Sequence, residues 1–253
     1  MTDRIHIGSC PVDCLTLADA SQFLQDNYNR GKTVVIVGVN TAAVVKAHKD
    51  ICFRNALNSM DLVVPDGYWL QVATRCLGYT TTNHVPVVKM TYDLLEQLEK
   101  RQGTVYLLGA TNNVVSKAAE EITRRYPGVK IAGAHNGYFE ESEEQEIIRK
   151  INSTDAQMIL IGISSPKREL FMIRNQEKLN VPLIIGVGGM IDILGGKTSE
   201  GPDWLLNCGL MWCYRLALEP RRLWKRYTIT NFQFIWMISK QAINIHYSRL
   251  WKS

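Results

Sequence analysis

TVVIVGVNT, residues 33–41, is the stretch on which the reading of the fold turns. Its first seven residues carry no charge and are mostly β-branched, and apolar side chains fall on successive positions rather than alternate ones. A strand buried on both faces has this composition, and such strands belong to parallel sheets. The run then stops at Asn40-Thr41, a polar pair of the kind that opens a helix. Five further runs have the same character: LVVP (62–65), TVYLLGA (104–110), VKIAG (129–133), QMILIGI (157–163) and PLIIGVGG (182–189). Amphipathic segments separate several of them, at 17–31, 90–103, 112–128 and 141–152, and several of these close on Gly or Pro-Gly, as helices do. Strand and helix alternating at this spacing predict a doubly wound, mostly parallel α/β sheet. Ligands of such sheets sit outside the carboxyl ends of the strands.

With 253 residues, 46% of them hydrophobic, the chain can build a sizeable core without disulfide staples. The six cysteines form no CxxC pair, so free thiols are expected rather than a zinc site. MTDRIHIGSC lacks the basic start and apolar run of a signal peptide, and no stretch approaches the roughly 18–20 apolar residues of a membrane span. A cytoplasmic address is the expectation. The formal charge of +5 is unevenly placed: from Asp203 onward eight Lys and Arg face only Asp203 and Glu219, so the tail carries the basic character. Strand signals also stop there. The reading is therefore a main domain over 1–202 and a basic, aromatic helical appendage over 203–253, with Glu219-Pro220 dividing the appendage into two helices. Taken as continuous helix, 215, 222 and 226 share a face, whereas Arg221 lies about 100° from Arg222.

The strand ends supply the candidate residues. Asp66, in P-D-G after strand 62–65, can take a proton from a bound hydroxyl; D-G is also ordinary turn chemistry. Asn40 can hold a sugar hydroxyl or simply cap the next helix. Gly109 stands where strand 104–108 meets a helix start. In GVGGMID (186–192), Gly188 would let backbone amides approach a phosphate, and Asp192 could accept from a uracil N–H; a strand-end turn and a cap are the plain alternatives. SSPKRE (164–169) places Lys167 and Arg168 at a helix start, as phosphate ligands or as a solvated first turn. No DxD triplet is present, so positive side chains are expected to replace a metal at any diphosphate, and Arg215, Arg221, Arg222 and Arg226 can supply them. The tail aromatics, Trp204, Trp212, Tyr214, Trp224, Trp236 and Trp251, suit a membrane interface or packing onto the main domain.

VVPDGYWLQVATRCLG, LLGATNNVVSKAAEEITRRYPG with the following NGYF, MILIGISSPKRE, GVGGMIDILGGK and GLMWCYRLALEPRRLWKRY together resemble bacterial glycosyltransferase family 26, in order and over nearly the whole chain. That family includes the teichoic-acid and common-antigen N-acetylmannosaminyltransferases. The resemblance implies a Rossmann-like domain that moves a sugar, with inversion and without a metal or other cofactor, from a UDP-sugar to a sugar on a polyprenyl-diphosphate carrier at the inner membrane face. It implies Asp66 as the base with Asn40 beside it, Tyr138 and Asp192 in a uridine pocket, and tail arginines closing over the site, Arg221 and Arg222 foremost with Arg215 among the substrate contacts. Three places depart from the family's usual pattern: Gly38 where Thr is common, Arg168 where Gln is common, and His84-Val85-Pro86-Val87-Val88-Lys89 where R-V-x-G-x-D is common. His84 and Arg168 thus fall at expected sugar or phosphate contacts, and the donor sugar stays open among N-acetylmannosamine, glucose, another hexose or a uronic acid. A catalytically inactive nucleotide-binding scaffold of a polysaccharide assembly complex is the alternative. Nucleic-acid binding by the tail ranks last, and a homo-oligomer is left open.

Overall fold

The computed structural model describes residues 3–29, 31–79, 84–202, 204–205 and 208–250, excepting the side chains of 29, 222, 225–227 and 246–250. Asp203 and Trp251 lie outside it, as do the side chains of Arg222 and Arg226.

An antiparallel hairpin comes first, β1 (Asp3–Ile7) and β2 (Cys10–Cys14), joined by Gly8-Ser9 with Gly8 at φ +59°. Then follow α1 (Leu17–Asn29), β3 (Val34–Val39), α2 (Thr41–Lys49), α3 (Ile51–Asn58), β4 (Leu62–Pro65), α4 (Tyr68–Cys76), α5 (Val87–Lys100), β5 (Thr104–Gly109) and α6 (Asn112–Arg125). The rest comprises β6 (Lys130–His135), α7 (Glu144–Asn152), β7 (Met158–Gly162), α8 (Lys167–Asn175), β8 (Leu183–Gly186), α9 (Met190–Leu194), α10 (Met211–Leu218) and α11 (Pro220–Leu250). All six expected strands form one parallel sheet in the order β4-β3-β8-β7-β5-β6.

The double winding follows from the period of two along each strand. Val35, Val37 and Val39 face a core built with α2, α3, α4, α7 and α8, whereas Val34 and Ile36 face the other layer, of α1, α5, α6 and α9. On β7, Ile159 and Ile161 divide from Met158 and Leu160 in the same way. Burial on both sides is why these strands lack polar alternation.

The hairpin was not foreseen, although a Gly-Ser pair between Ile-x-Ile and x-Val-x is a hairpin signal. It extends the first core layer through Ile7 and Val12, and α11 packs over it with Phe234 and Ile238. Gln241 fixes the contact at both ends: its Oε1 accepts from Gly8 N–H (2.7 Å) and its Nε2 donates to His6 O (3.0 Å). Lys49 at the end of α2 donates to Gln233 Oε1 (2.9 Å).

Among the described residues Glu219-Pro220 does divide two helices, with the break at Glu219 (φ −132°, ψ 59°) and Pro220 opening the second, a position where its missing N–H costs nothing. The break corrects one expectation. Residue 215 belongs to α10 and residues 222 and 226 to α11, so the i, i+7, i+11 face is not continuous, because helical phase does not carry across a non-helical residue. The 31 residues of α11 extend about 46 Å. One side is buried on the hairpin and α2, while Ile229, Phe232, Ile235, Trp236 and Ile243 on its other side are exposed, Phe232 to 73%. Trp204 and Trp224 are exposed too, whereas Trp212 and Tyr214 are half-buried, Tyr214 against Gly201.

Candidate active site

Because the strands are parallel, the six chain reversals that follow them lie along one edge, and three groups of the expected residues assemble there. The first is at the ends of β3 and β4. Asp66 N–H donates to Val39 O (2.8 Å), extending the pairing by one residue, and Asp66 Oδ1 accepts from Val87 N–H at the start of α5 (3.1 Å). The half-buried carboxylate is thus held through one oxygen, leaving Oδ2 for other chemistry. Asn40 is its neighbour, with Asn40 Cβ 3.8 Å from where a side chain on Gly67 would begin. Asn40 Oδ1 caps α2, accepting from Ala42 and Ala43 N–H (3.1 and 3.2 Å), so only its NH₂ remains to meet a ligand.

His84 lies within the electrostatic reach of Asp66. Burial pushes its imidazole below the usual 6.5; the Asp66 charge opposes that shift and Lys89 reinforces it. The segment is positioned by Val85 N–H, which donates to Pro65 O (3.0 Å). Gly38 lies beneath: a Cβ there would run into Val87 Cγ2 and come within 2.9 Å of Asp66 Cβ.

A second group lines the ends of β5, β6 and β7. Gly109 and Gly162 approach so closely that a Cβ on Gly109 would lie 2.6 Å from Gly162 O, and one on Gly137 would lie 3.1 Å from Gly109 Cα. The result is a backbone floor at which Tyr138 stands 73% exposed, its N–H donating to Asn136 Oδ1 (2.9 Å). Lys167 does not extend into solvent as a free cation. It donates to Phe139 O and lies 3.9 Å over the Phe139 ring, tying α8 to the Tyr138 loop. His135 hydrogen-bonds through Nδ1 to Asn136 O (2.8 Å).

The third group surrounds the glycine turn after β8. Arg168 is buried, with Nε (3.0 Å) and Nη2 both donating to Glu169 Oε1. Its Cδ and Nε lie 3.1 Å from where a Gly186 side chain would begin, and Nη1 lies 3.3 Å from the same point at Gly188 (φ +56°). Arg168 therefore underlies the turn, a place quite unlike a solvated first helical turn. Asp192 is engaged by Lys197 (3.0 Å). Sequence reasoning overlooked Glu169, whose signal was a carboxylate next to Arg168 in KRE, and it overlooked the Val87 amide, which no side-chain pattern reveals.

The appendage reaches this edge. A Cβ on Gly209 would run into Tyr68, two residues beyond Asp66. Tyr214 Oη hydrogen-bonds Ser199 Oγ (3.0 Å), and Met211 and Tyr214 crowd Gly201. Arg215 Nε is buried with no hydrogen-bond partner among the described residues, and Arg221 is exposed. No described contact joins either arginine to Asp66. Among the described residues no group of three His, Cys, Asp or Glu has metal-site geometry.

A parallel sheet with a held carboxylate past β4 and a glycine floor on the same edge, at β7 and β5, suits activation of a bound hydroxyl. The profile of the Glycosyl transferase WecG/TagA/CpsF family matches residues 5–247. The chain belongs to this family. Its relatives include the N-acetylglucosaminyldiphosphoundecaprenol N-acetyl-beta-D-mannosaminyltransferase of Bacillus subtilis strain 168, 27% identical over 89% of this chain and 86% of that protein. Proteins of the same description from Bacillus spizizenii (24% identical, 85% of each chain) and Staphylococcus aureus (25% identical, 92% of each chain) also match. The match takes in α10 and most of α11, so the appendage is part of what this glycosyltransferase family member shares with its relatives.

Proposed function

We propose that this protein is an inverting, metal-independent glycosyltransferase moving a hexose-type sugar from a UDP-sugar to a sugar on a polyprenyl diphosphate, in cell-surface polysaccharide synthesis. The observation that carries the reading is the pairing of Asp66 and Asn40 at adjoining strand ends, Asp66 anchored by one oxygen and open at the other. The relatives' names, which specify an acceptor on diphosphoundecaprenol, support the acceptor class. Asp66 Oδ2 takes the proton of the acceptor hydroxyl, whose oxygen forms a bond to the anomeric carbon. The bond from that carbon to the donor phosphate breaks on the opposite face, and UDP leaves with the electron pair. Tyr138 and Asp192 bind the uridine, Gly109 and Gly188 offer backbone to the diphosphate, and Arg215, Arg221 and Arg222 neutralise it as it departs.

The protein works from the inner face of the membrane as a peripheral enzyme. Among the described residues no helix is long and apolar enough to cross a bilayer, and the exposed aromatic and aliphatic side of α11 suits an interface. The test is transfer from a panel of UDP-sugars to a polyprenyl-diphosphate acceptor, with and without EDTA. Asp66→Asn should lower turnover by roughly 10² to 10⁴ while leaving the fold intact. Near-normal turnover of that variant removes Asp66 as the base; activity abolished by EDTA removes the metal-free mechanism. UDP binding without turnover of any sugar favours the scaffold alternative.

A further inference from the structure

We infer that Gly38 and the Val87 amide are positioning residues for the carboxylate of Asp66, a seat in which the bare backbone of β3 makes room for the first turn of α5. The inference rests on Asp66 being the base. Two observations meet at one point. Asp66 Oδ1 is held by Val87 N–H, the only hydrogen bond described for this carboxylate. Val87 can come close enough because residue 38 has no side chain: a Cβ there would run into Val87 Cγ2, lie 2.9 Å from Asp66 Cβ and lie 3.5 Å from Asp66 Cγ. Real Cβ atoms essentially never lie under 3.0 Å from a non-bonded heavy atom, so something must move. The candidates are the α5 terminus carrying the amide and the Asp66 side chain itself, and either motion turns the carboxylate. Gly38 is not needed for its backbone angles, since it sits inside β3 with the sheet partner Val64. It is needed for the space. The space left by the missing side chain on β3 is filled by Val87 Cγ2 from α5.

Gly38→Ala should therefore lower kcat by about 10²-fold, the scale of a displacement near 1 Å at a reacting group, with donor KM little changed. Val87→Ala removes the clashing Cγ2 and keeps the N–H, so alone it should retain most activity. Combined as Gly38→Ala/Val87→Ala it should recover part of what Gly38→Ala loses, because the 2.9 Å approach to Asp66 Cβ remains. A separate variant removes the donor without touching β3. Val87 is the first residue of α5 and Pro86 before it has ψ 121°, so Val87→Pro fits a position where proline is tolerated and its predecessor is already extended. It should lose kcat on the same scale while remaining folded.

Wild-type kcat in folded Gly38→Ala or in Val87→Pro overturns the inference, as does a folded double variant that recovers nothing. Asp66→Asn measured alongside separates the two claims. If Asp66→Asn is inactive while Gly38→Ala and Val87→Pro are fully active, only the seat is wrong; if Asp66→Asn is active, the base assignment fails first.

Discussion

Arg168→Met is the most informative stability experiment, because it distinguishes a cation that supports the glycine turn from one that waits for phosphate. Arg168 and Glu169 are a buried pair, with side chains 10% and 1% exposed. Glu169 Oε1 receives both guanidinium contacts, and Glu169 Oε2 is buried without a hydrogen-bond partner among the described residues. Removing the arginine leaves a carboxylate with neither oxygen paired, which costs about 3–5 kcal/mol. That is a large share of the roughly 5–15 kcal/mol holding an average domain together. For a chain of this size each kcal/mol moves Tm by about 2–4 °C, so the expected fall is about 6–20 °C. Replacing both partners, as Arg168→Met/Glu169→Leu, removes the orphaned charge and should recover most of the loss. Urea titrations followed by circular dichroism give the three free energies, and donor KM is read on the folded fraction. A single variant as stable as the parent but weak in donor binding refutes the supporting role and makes Arg168 a phosphate ligand. A double variant as unstable as the single one refutes the buried-charge account.

Asn40→Asp keeps an oxygen to cap α2 and replaces the NH₂, so stability should hold while turnover falls; Asn40→Ala should in addition lose about 1 kcal/mol on denaturation. If Asn40→Asp transfers sugar at the parent rate, Asn40 is only a cap. For His84, the folded imidazole resists protonation more than the unfolded one, so its contribution to stability is full above pH 6.5 and declines as pH falls below it, until the folded group also protonates. His84→Gln should flatten that decline in denaturation curves taken from about pH 7.5 to 5, and an unchanged slope refutes it. Phe232→Glu/Trp236→Glu should weaken binding to anionic vesicles in co-sedimentation without changing Tm; vesicle binding equal to the parent's rules out this side of α11 as the membrane contact.

Most of the sheet was legible because strands buried on both faces have few alternatives: TVVIVGV and QMILIGI read as strands for the same reason that they are buried. The carboxyl-edge rule then led directly to Asp66 and Asn40. What stayed hidden depends on contacts distant in sequence. The Asp66 oxygen is held by a backbone amide twenty-one residues on, and main-chain donors leave no trace in residue type. Lys167 and Arg168 looked alike as cations at a helix start, yet one reaches a carbonyl of another loop and the other turns inward to a carboxylate beside it. The face proposed for 215, 222 and 226 failed because Pro220 begins a new helix and resets the phase, although the break itself had been read from Glu219-Pro220. The hairpin escaped notice because five-residue strands at the start of a chain show little periodicity.

The clasp of Gln241 on Gly8 and His6 links groups more than two hundred residues apart, and that sets an order of events during synthesis. The hairpin leaves the ribosome well before α11, so Ile7 and Val12 lack the cover of Phe234 and Ile238 until α11 has been made. The strand edge bearing Asp66 can pair as soon as β8 emerges. The hairpin and the later-made α11 close this layer together, so a nascent chain stalled anywhere in α11 would hold a nearly complete cleft above a core still open to water.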